Sequence, residues 1–160
     1  MERGARTTIR PYQPDDRDAV VRMLCDSTPW KQLGYTGSDW RKFFAASPPG
    51  RDSFVIESDG IVAGVALLRP NVLLGDYLEL LAIAPEVQGH GLGAQLLGYL
   101  EELVFARAKN LFVCVSDFNK DARRFYEKHG YQELGPIPDL LITGSAEILM
   151  RKTTGPVRKS

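Results

Sequence analysis

The spacing of apolar and polar residues changes along the chain, and each change predicts an element. Thr7-Thr-Ile-Arg-Pro-Tyr12 reads as a first strand, ended by Pro11 and Pro14. A helix follows, capped by Asp15 or Asp16, with Ala19, Val20, Met23 and Leu24 on one face and Cys25 bordering it as a small buried hydrophobe. Thr28 to Gly37 reads as a loop carrying Trp30 and Tyr35. Ser38 or Asp39 then caps a short helix bearing Trp40, Phe43 and Phe44. The period switches to two across Ser53–Glu57 and Ile61–Leu68, with Asp59-Gly60 as a tight primed turn. Pro70 and Gly75 punctuate the passage to a central strand over about residues 76–84, apolar on both faces apart from Glu79.

Beyond that strand, Leu92, Leu96, Leu97, Leu100, Leu103 and Val104 recur at helical spacing, with Gln95, Glu101 and Glu102 on the wet face of a helix reaching Arg107. Leu111–Val115 is another strand, with Cys114 read as packing. Asn119 and Gly130 suit the N-cap and the left-handed C′ position of a further helix, on which Ala122, Phe125 and His129 share a face beside Tyr126. Tyr131–Gly135 and Ala146–Arg151 complete the strands, and 153–160 reads as a short polar, frayed tail.

Composition narrows the class. At 160 residues, one compact domain is expected over 1–152. Lys plus Arg balances Asp plus Glu at 20 each, so no global field points to nucleic acid or an anionic membrane. Two cysteines and two histidines, far apart, form neither a disulfide framework nor a metal site. No stretch of 18 apolar residues or signal-peptide core is present, which leads to the expectation of a cytoplasmic protein without membrane contact.

The most informative stretch is Gln88-Gly-His-Gly-Leu-Gly93, between the central strand and the long helix. The first turn of a helix has N–H groups without intrahelical partners and the positive end of the dipole, and glycines let an anion approach them. A P-loop would require Gly-Lys-Ser/Thr, and a dinucleotide fingerprint would require G-x-G-x-x-G directly after its strand; neither is met. A ligand-free strand-to-helix turn is the plain alternative. What remains, Q-x-x-G-x-G after a strand ending in Ala-Pro, resembles the acyl-CoA-binding motif of the GNAT superfamily of N-acetyltransferases. The downstream N-x-x-A-x-x-F-Y-x-x-x-G-Y, Asn119 to Tyr131, resembles the second signature of the same family. The two occur in order with one strand between them, and the matching positions cover 77–131.

The resemblance implies the α/β GNAT fold: a mixed, twisted central sheet of about seven strands with helices on both faces, splayed after the central strand to admit the pantetheine arm. It implies acetyl-CoA as cosubstrate and a primary amine as acceptor, whether small molecule, amino acid or peptide, with direct attack in a ternary complex. A non-catalytic acyl-CoA-binding or regulatory module is the other class. The cofactor-binding positions carried over are Leu81, Ala82 and Ile83 on the strand, Gln88, Gly89, His90, Gly91, Leu92, Gly93 and Ala94 in the turn, and Asn119, Ala122 and Tyr126 on the second helix. Gln88 stands where relatives often have arginine, so this cradle relies on backbone dipoles.

Tyr126 is the expected general acid at the departing sulfur, a phenol being a proton donor at neutral pH; a structural helix tyrosine is the other reading. Glu79 is the expected base, because a carboxylate in an apolar strand is costly without a partner. A salt bridge, or no dedicated base, stands beside that reading. Some relatives carry a glutamate on the following strand where this chain has Cys114. Trp30, Tyr35 and Trp40 either pack as a satellite cluster or wall a substrate pocket, with Asp139 as an acidic contact. Many members of the family pair as homodimers, and the same is open here.

Overall fold

The computed structural model describes residues 4–158. Among these the elements run β1 (Thr7–Pro11), α1 (Arg17–Cys25), α2 (Gly37–Phe43), β2 (Asp52–Ser58), β3 (Ile61–Val72), β4 (Gly75–Ile83), α3 (Leu92–Phe105), β5 (Asn110–Ser116), α4 (Lys120–Lys128), β6 (Gln132–Pro138) and β7 (Ala146–Thr153). Single 3-10 turns occupy Pro14–Asp16 and Pro85–Val87. The strands hydrogen-bond in the order β1-β2-β3-β4-β5-β7-β6. The β4–β5 pair is parallel, whereas β1–β2, β2–β3, β5–β7 and β6–β7 are antiparallel, so the sheet is mixed. No helix among the described residues is long and apolar enough to cross a membrane.

The chain divides into two compact units, one of residues up to Leu68 with Leu80–Leu100, the other of Arg69–Glu79 with Glu101 onward. In the first, α1 buries Val20, Val21, Met23 and Leu24 against Trp40, Phe44, Val55, Val65, Leu67, Leu80, Ala82 and Ala84. Full burial of each large side chain contributes about 1.5–3 kcal/mol. Val21, rather than the half-buried Ala19, completes the inward face of α1. Asp16 precedes that helix without capping it; its carboxylate takes the Gln13 N–H and both terminal nitrogens of Arg10, each at 2.8 Å. Arg10 also reaches Glu57 on β2, which ties β1 to its neighbour. The cap of α2 is Thr36, not Ser38 or Asp39. Its hydroxyl accepts the Asp39 N–H while Asp39 accepts the Thr36 N–H, a reciprocal box. The Asp59-Gly60 turn joins β2 to β3 with both residues at positive φ, 50° and 80°, as a primed turn demands.

In the second unit, β3 continues through Pro70 to Val72, so the turn before β4 is not at Pro70. It is made by Leu73 and Leu74, at φ 47° and 60°, with their side chains exposed to 70% and 74%. β4 begins at Gly75, where an added Cβ would stand 2.2 Å from the Asn110 carbonyl oxygen. Asp76 is wholly buried and held by a two-pronged contact with Arg107, one prong at 2.8 Å. This is a second acid in a strand that the sequence pattern credits with Glu79 alone. Glu101 on α3 accepts from both the Tyr131 hydroxyl and the Lys152 ammonium, each at 3.0 Å. β6 extends three residues beyond Gly135, and β7 includes Thr153. The Thr154 N–H bonds the Lys109 carbonyl at 2.9 Å, so the expected frayed tail is anchored at its start; Lys159 and Ser160 lie outside the described residues.

Two glycines give opposite expectations. Gly75→Ala should cost at least about 2 kcal/mol, because backbone rather than a flexible side chain fills the space. Gly98→Ala, within α3 and with no atom within 4 Å of the new Cβ, should gain about 0.5–1 kcal/mol. Urea unfolding of both variants checks the pair.

Candidate functional site

The end of β4 and the turn after it form the first group. The Ala84 N–H donates to the Ala63 carbonyl on β3 at 2.8 Å. The Ala82 carbonyl points the same way, 2.9 Å from where a Cβ on Gly64 would lie. Backbone groups alternate along a strand, so Leu81 and Ile83 turn their N–H and C=O to the other edge. The ladder with β5 covers Gly75↔Asn110 to Leu78↔Val113 and stops short of them. On that edge the Ile83 carbonyl accepts from Gln88 Nε2 at 3.0 Å. Gln88 therefore closes the strand end, a role that its amide fits and that an arginine-like anion contact would not explain.

Gly89 and Gly91 sit at φ 82° and 79°, and a Cβ on either would meet nothing within 4 Å, so the turn leaves open space over its backbone. The first i→i−4 bond of α3 runs from Gln95 N–H to Gly91 O. The N–H groups of Leu92, Gly93 and Ala94 are therefore first-turn donors at the positive end of a 14-residue helix. The Leu92 side chain is buried and pins the helix start, while His90 is exposed. An anion can be held here by main-chain donors.

The second group stands on α4. Asn119 caps it, its side chain accepting the Ala122 N–H at 3.2 Å, and Gly130 follows at φ 94°. Tyr126 is buried, with ring contacts to Phe125 and Tyr131 at 5.1 and 5.3 Å. Burial pushes its phenol up, so the hydroxyl stays protonated throughout the neutral range. His129 turns its Nδ1 to the Phe125 carbonyl at 2.7 Å, a local helix-end contact.

The third group gathers around the middle strands of the second unit. Glu79 is paired with Arg69 at 3.2 Å, so the costly lone carboxylate inferred from the sequence has a cation beside it. Tyr77 lies against Cys114 and feels both Glu79 and Glu147; burial above all raises its phenol. Burial also raises the Cys114 thiol, partly countered by the Tyr77 hydrogen bond, so Cys114 stays a neutral thiol. Glu147 on β7 is 5% exposed and accepts from Ser116 Oγ at 2.7 Å. Burial pushes its carboxyl above the usual range; the Ser116 bond pulls it back in part, and Asp117 adds to the rise. Glu147 escaped the reading of the sequence, although an acid inside Ala146-Glu-Ile-Leu-Met150 carries the same signal that singled out Glu79.

The residues assigned to an acceptor divide between the units. In the first, Tyr35 stacks on Trp40 at 5.0 Å and Trp30 meets the same indole edge-on at 6.2 Å. Trp40 is buried in the core, so these rings form a cluster anchored from inside, with Tyr35 at its exposed margin. In the second, Asp139 sits at φ 57° and accepts the Gly144 N–H at 2.7 Å, which braces the β6–β7 loop. Leu81 to Ala94 lie together, whereas Asn119, Ala122, Tyr126, Glu79 and Asp139 belong to the other unit.

The raised carboxyl of Glu147 has a stability signature. The unfolded chain releases that proton near pH 4.3, earlier than the folded one, so folding stability falls as pH rises through the folded value. Glu147→Gln lacks this dependence. The unfolding free energy of the variant minus that of the wild type should therefore grow as pH rises from about 4 through the folded value. Parallel pH curves from chemical denaturation would contradict it.

The family model described as "Acetyltransferase (GNAT) family" matches residues 17–131. The chain is 35% identical over 148 residues to an uncharacterised N-acetyltransferase of Methanocaldococcus jannaschii, covering 90% of each. It is 25% identical over 130 residues to a peptidyl-lysine N-acetyltransferase of Escherichia coli, 77% of this chain and 82% of that one. Among solved structures, the ribosomal-protein-S18-alanine N-acetyltransferase of Escherichia coli superposes with a TM-score of 0.78 at 21% identity, over 97% and 98% of the two chains. An aminoglycoside 6′-N-acetyltransferase complexed with coenzyme A gives 0.75 at 19%, over 95% and 99%. With the glycine turn after β4 and the capped α4 inside the matched span, and seven strands in one mixed sheet, the chain belongs to the acetyltransferase (GNAT) family and has its α/β fold.

Proposed function

We propose that the protein transfers the acetyl group of acetyl-CoA to a primary amine. The observation that carries this reading is the pairing of two features in consecutive sequence. The edge of β4 at Leu81 and Ile83 faces away from β3, and it leads directly into a turn whose glycines expose first-turn N–H groups. The residues fit the group the family uses. A diphosphate requires donors without side chains in the way, which Gly89 to Ala94 offer, and an extended amide arm requires strand-like backbone partners. When bound, acetyl-CoA supplies an activated thioester.

The chain's own residues do the rest. The Leu81 N–H polarises the carbonyl to be attacked, as a preorganised dipole that needs no reorientation, while Ile83 aligns the arm. Tyr126, kept protonated by burial, gives its proton to the departing sulfur. Asn119 and Ala122 set the start of α4 and so the position of that tyrosine. A carboxylate takes the proton of the incoming ammonium. Glu79 is the β4 candidate, acting through a water, and Arg69 competes for it. The acceptor is a peptide or small-molecule amine; the lysine-modifying relative at 25% identity supports a peptide amine. Trp30, Tyr35 and Asp139 are its candidate contacts.

Calorimetric titration with acetyl-CoA and with CoA should give micromolar binding that Gly91→Glu abolishes, since the new carboxylate would stand where the diphosphate lies. An intact protein that binds neither would overturn the reading. Tyr126→Phe should bind acetyl-CoA within about threefold of wild type and lose about 100-fold or more in kcat. Binding without transfer to any amine would instead leave a non-catalytic acyl-CoA module.

A further inference from the structure

Glu147 poses a physical question that the fold does not answer. It is a carboxylate inside a strand, 5% exposed, with a single neutral donor, Ser116 Oγ, at 2.7 Å. Asp76, also buried, has Arg107; Glu101 has Lys152 and Tyr131; Asp16 has Arg10. Among the described residues no cation forms an ion pair with Glu147. A glutamine would accept the same Ser116 bond without the cost of desolvating a charge. What glutamate adds at this position is the ability to change its charge.

Its surroundings are set to receive a proton. From β5 it is faced by Ser116 and Cys114, and from the residue after β5 by the carboxylate of Asp117; from β4 Tyr77 lies in range, with Glu79 beyond it; from β6 its register partner is Ile137. Cys114 and Tyr77 are both held neutral by burial. The place on β5 where some relatives have glutamate is filled by that neutral thiol, and Glu147 acts on it from the adjacent strand. The β5–β7 ladder pairs Ser116 with Glu147 and Cys114 with Leu149, so the acid is displaced by one strand.

We propose that Glu147 is the catalytic base that takes the proton of the acceptor ammonium, oriented by Ser116 and walled by the neutral Tyr77 and Cys114. This rests on the N-acetyltransferase reading above. One N–H proton of the ammonium passes to a Glu147 carboxylate oxygen, and the freed nitrogen forms the C–N bond to the acetyl carbon. The C–S bond breaks, and the sulfur leaves with the Tyr126 proton. The nitrogen gives up a second proton to solvent as the amide forms, Tyr126 regains one from solvent, and Glu147 releases its own. An acceptor ammonium and a thioester thus yield amide, free thiol and one proton. A carboxyl raised by burial holds that proton more readily near neutrality than an exposed one would.

The test uses the full chain, acetyl-CoA, and three probe acceptors: a peptide with a free N-terminal alanine, an N-terminally blocked lysine peptide, and an aminoglycoside. Wild type should acetylate at least one. On that probe Glu147→Gln should lose about 100-fold in kcat, bind acetyl-CoA within threefold by calorimetry, and lose the acid limb of the wild-type kcat/KM profile. Adding Cys114→Glu to Glu147→Gln should restore at least tenfold of the lost rate by returning a carboxylate one strand away. A Glu147→Gln protein with kcat within threefold and an unchanged pH profile overturns the proposal while leaving the acetyltransferase reading intact. If the variant does not fold, the proposal rests on the wild-type profile, where an acid limb no higher than an ordinary exposed carboxylate overturns it. A wild type that binds acetyl-CoA and acetylates no probe overturns both.

Discussion

The second half of β4 carries the demand on which the site depends. Peptide groups inside a sheet must be bonded, and a strand offers them alternately to its two edges. Through Ala82 and Ala84 this one satisfies its β3 side, helped by Gly64, whose missing Cβ lets the two backbones close on each other. Its other side is laddered to β5 only as far as Leu78. Past that residue the strand continues as strand, held from one side, and its last outward carbonyl is met by Gln88 from the following turn. The turn is thereby tied to the strand, and the helix after it begins with its donors over open space.

The features legible in the sequence are those in which chain neighbours make the structure. The glycine turn, the Asp59-Gly60 hairpin and the Asn119 cap each need only a few consecutive residues, and each stands as read. The errors arise where a long-range partner decides. The Leu73-Leu74 turn has no glycine or asparagine at its centre; pairing of β3 and β4 on either side forces two leucines into the left-handed region. Asp76 is not singled out by the strand pattern, because the residue that closes over it, Arg107, lies 31 residues on. Thr36 outcompetes Ser38 as cap because Asp39 can return its bond. Glu147 carries a local signal, an acid in an apolar strand, but its grouping with Tyr77 and Cys114 on three different strands does not show in any one segment.

The acids of this chain show why a net charge of zero says little about chemistry. Asp16, Asp76, Glu79 and Glu101 each have a basic partner and serve to fasten elements. Such pairs lock a protonation state, which suits architecture and is unhelpful for moving protons. Groups that can exchange a proton near neutrality require the reverse: partial desolvation and a neutral donor in place of a cation. Glu147 meets that description, with Ser116 as its neutral donor, whereas Tyr126 is a phenol that burial keeps protonated.

The donors of the glycine turn are main-chain atoms, and that has an evolutionary consequence. Genetic change alters side chains and leaves amides in place, so a surface of this kind can persist while its letters drift. The positions whose backbone geometry strains a side chain, Gly89 and Gly91 with their positive φ, are the more constrained ones. His90 projects outward and is at liberty to vary. A fold can stay alike when identity is about one residue in five, as between this chain and the Escherichia coli alanine acetyltransferase.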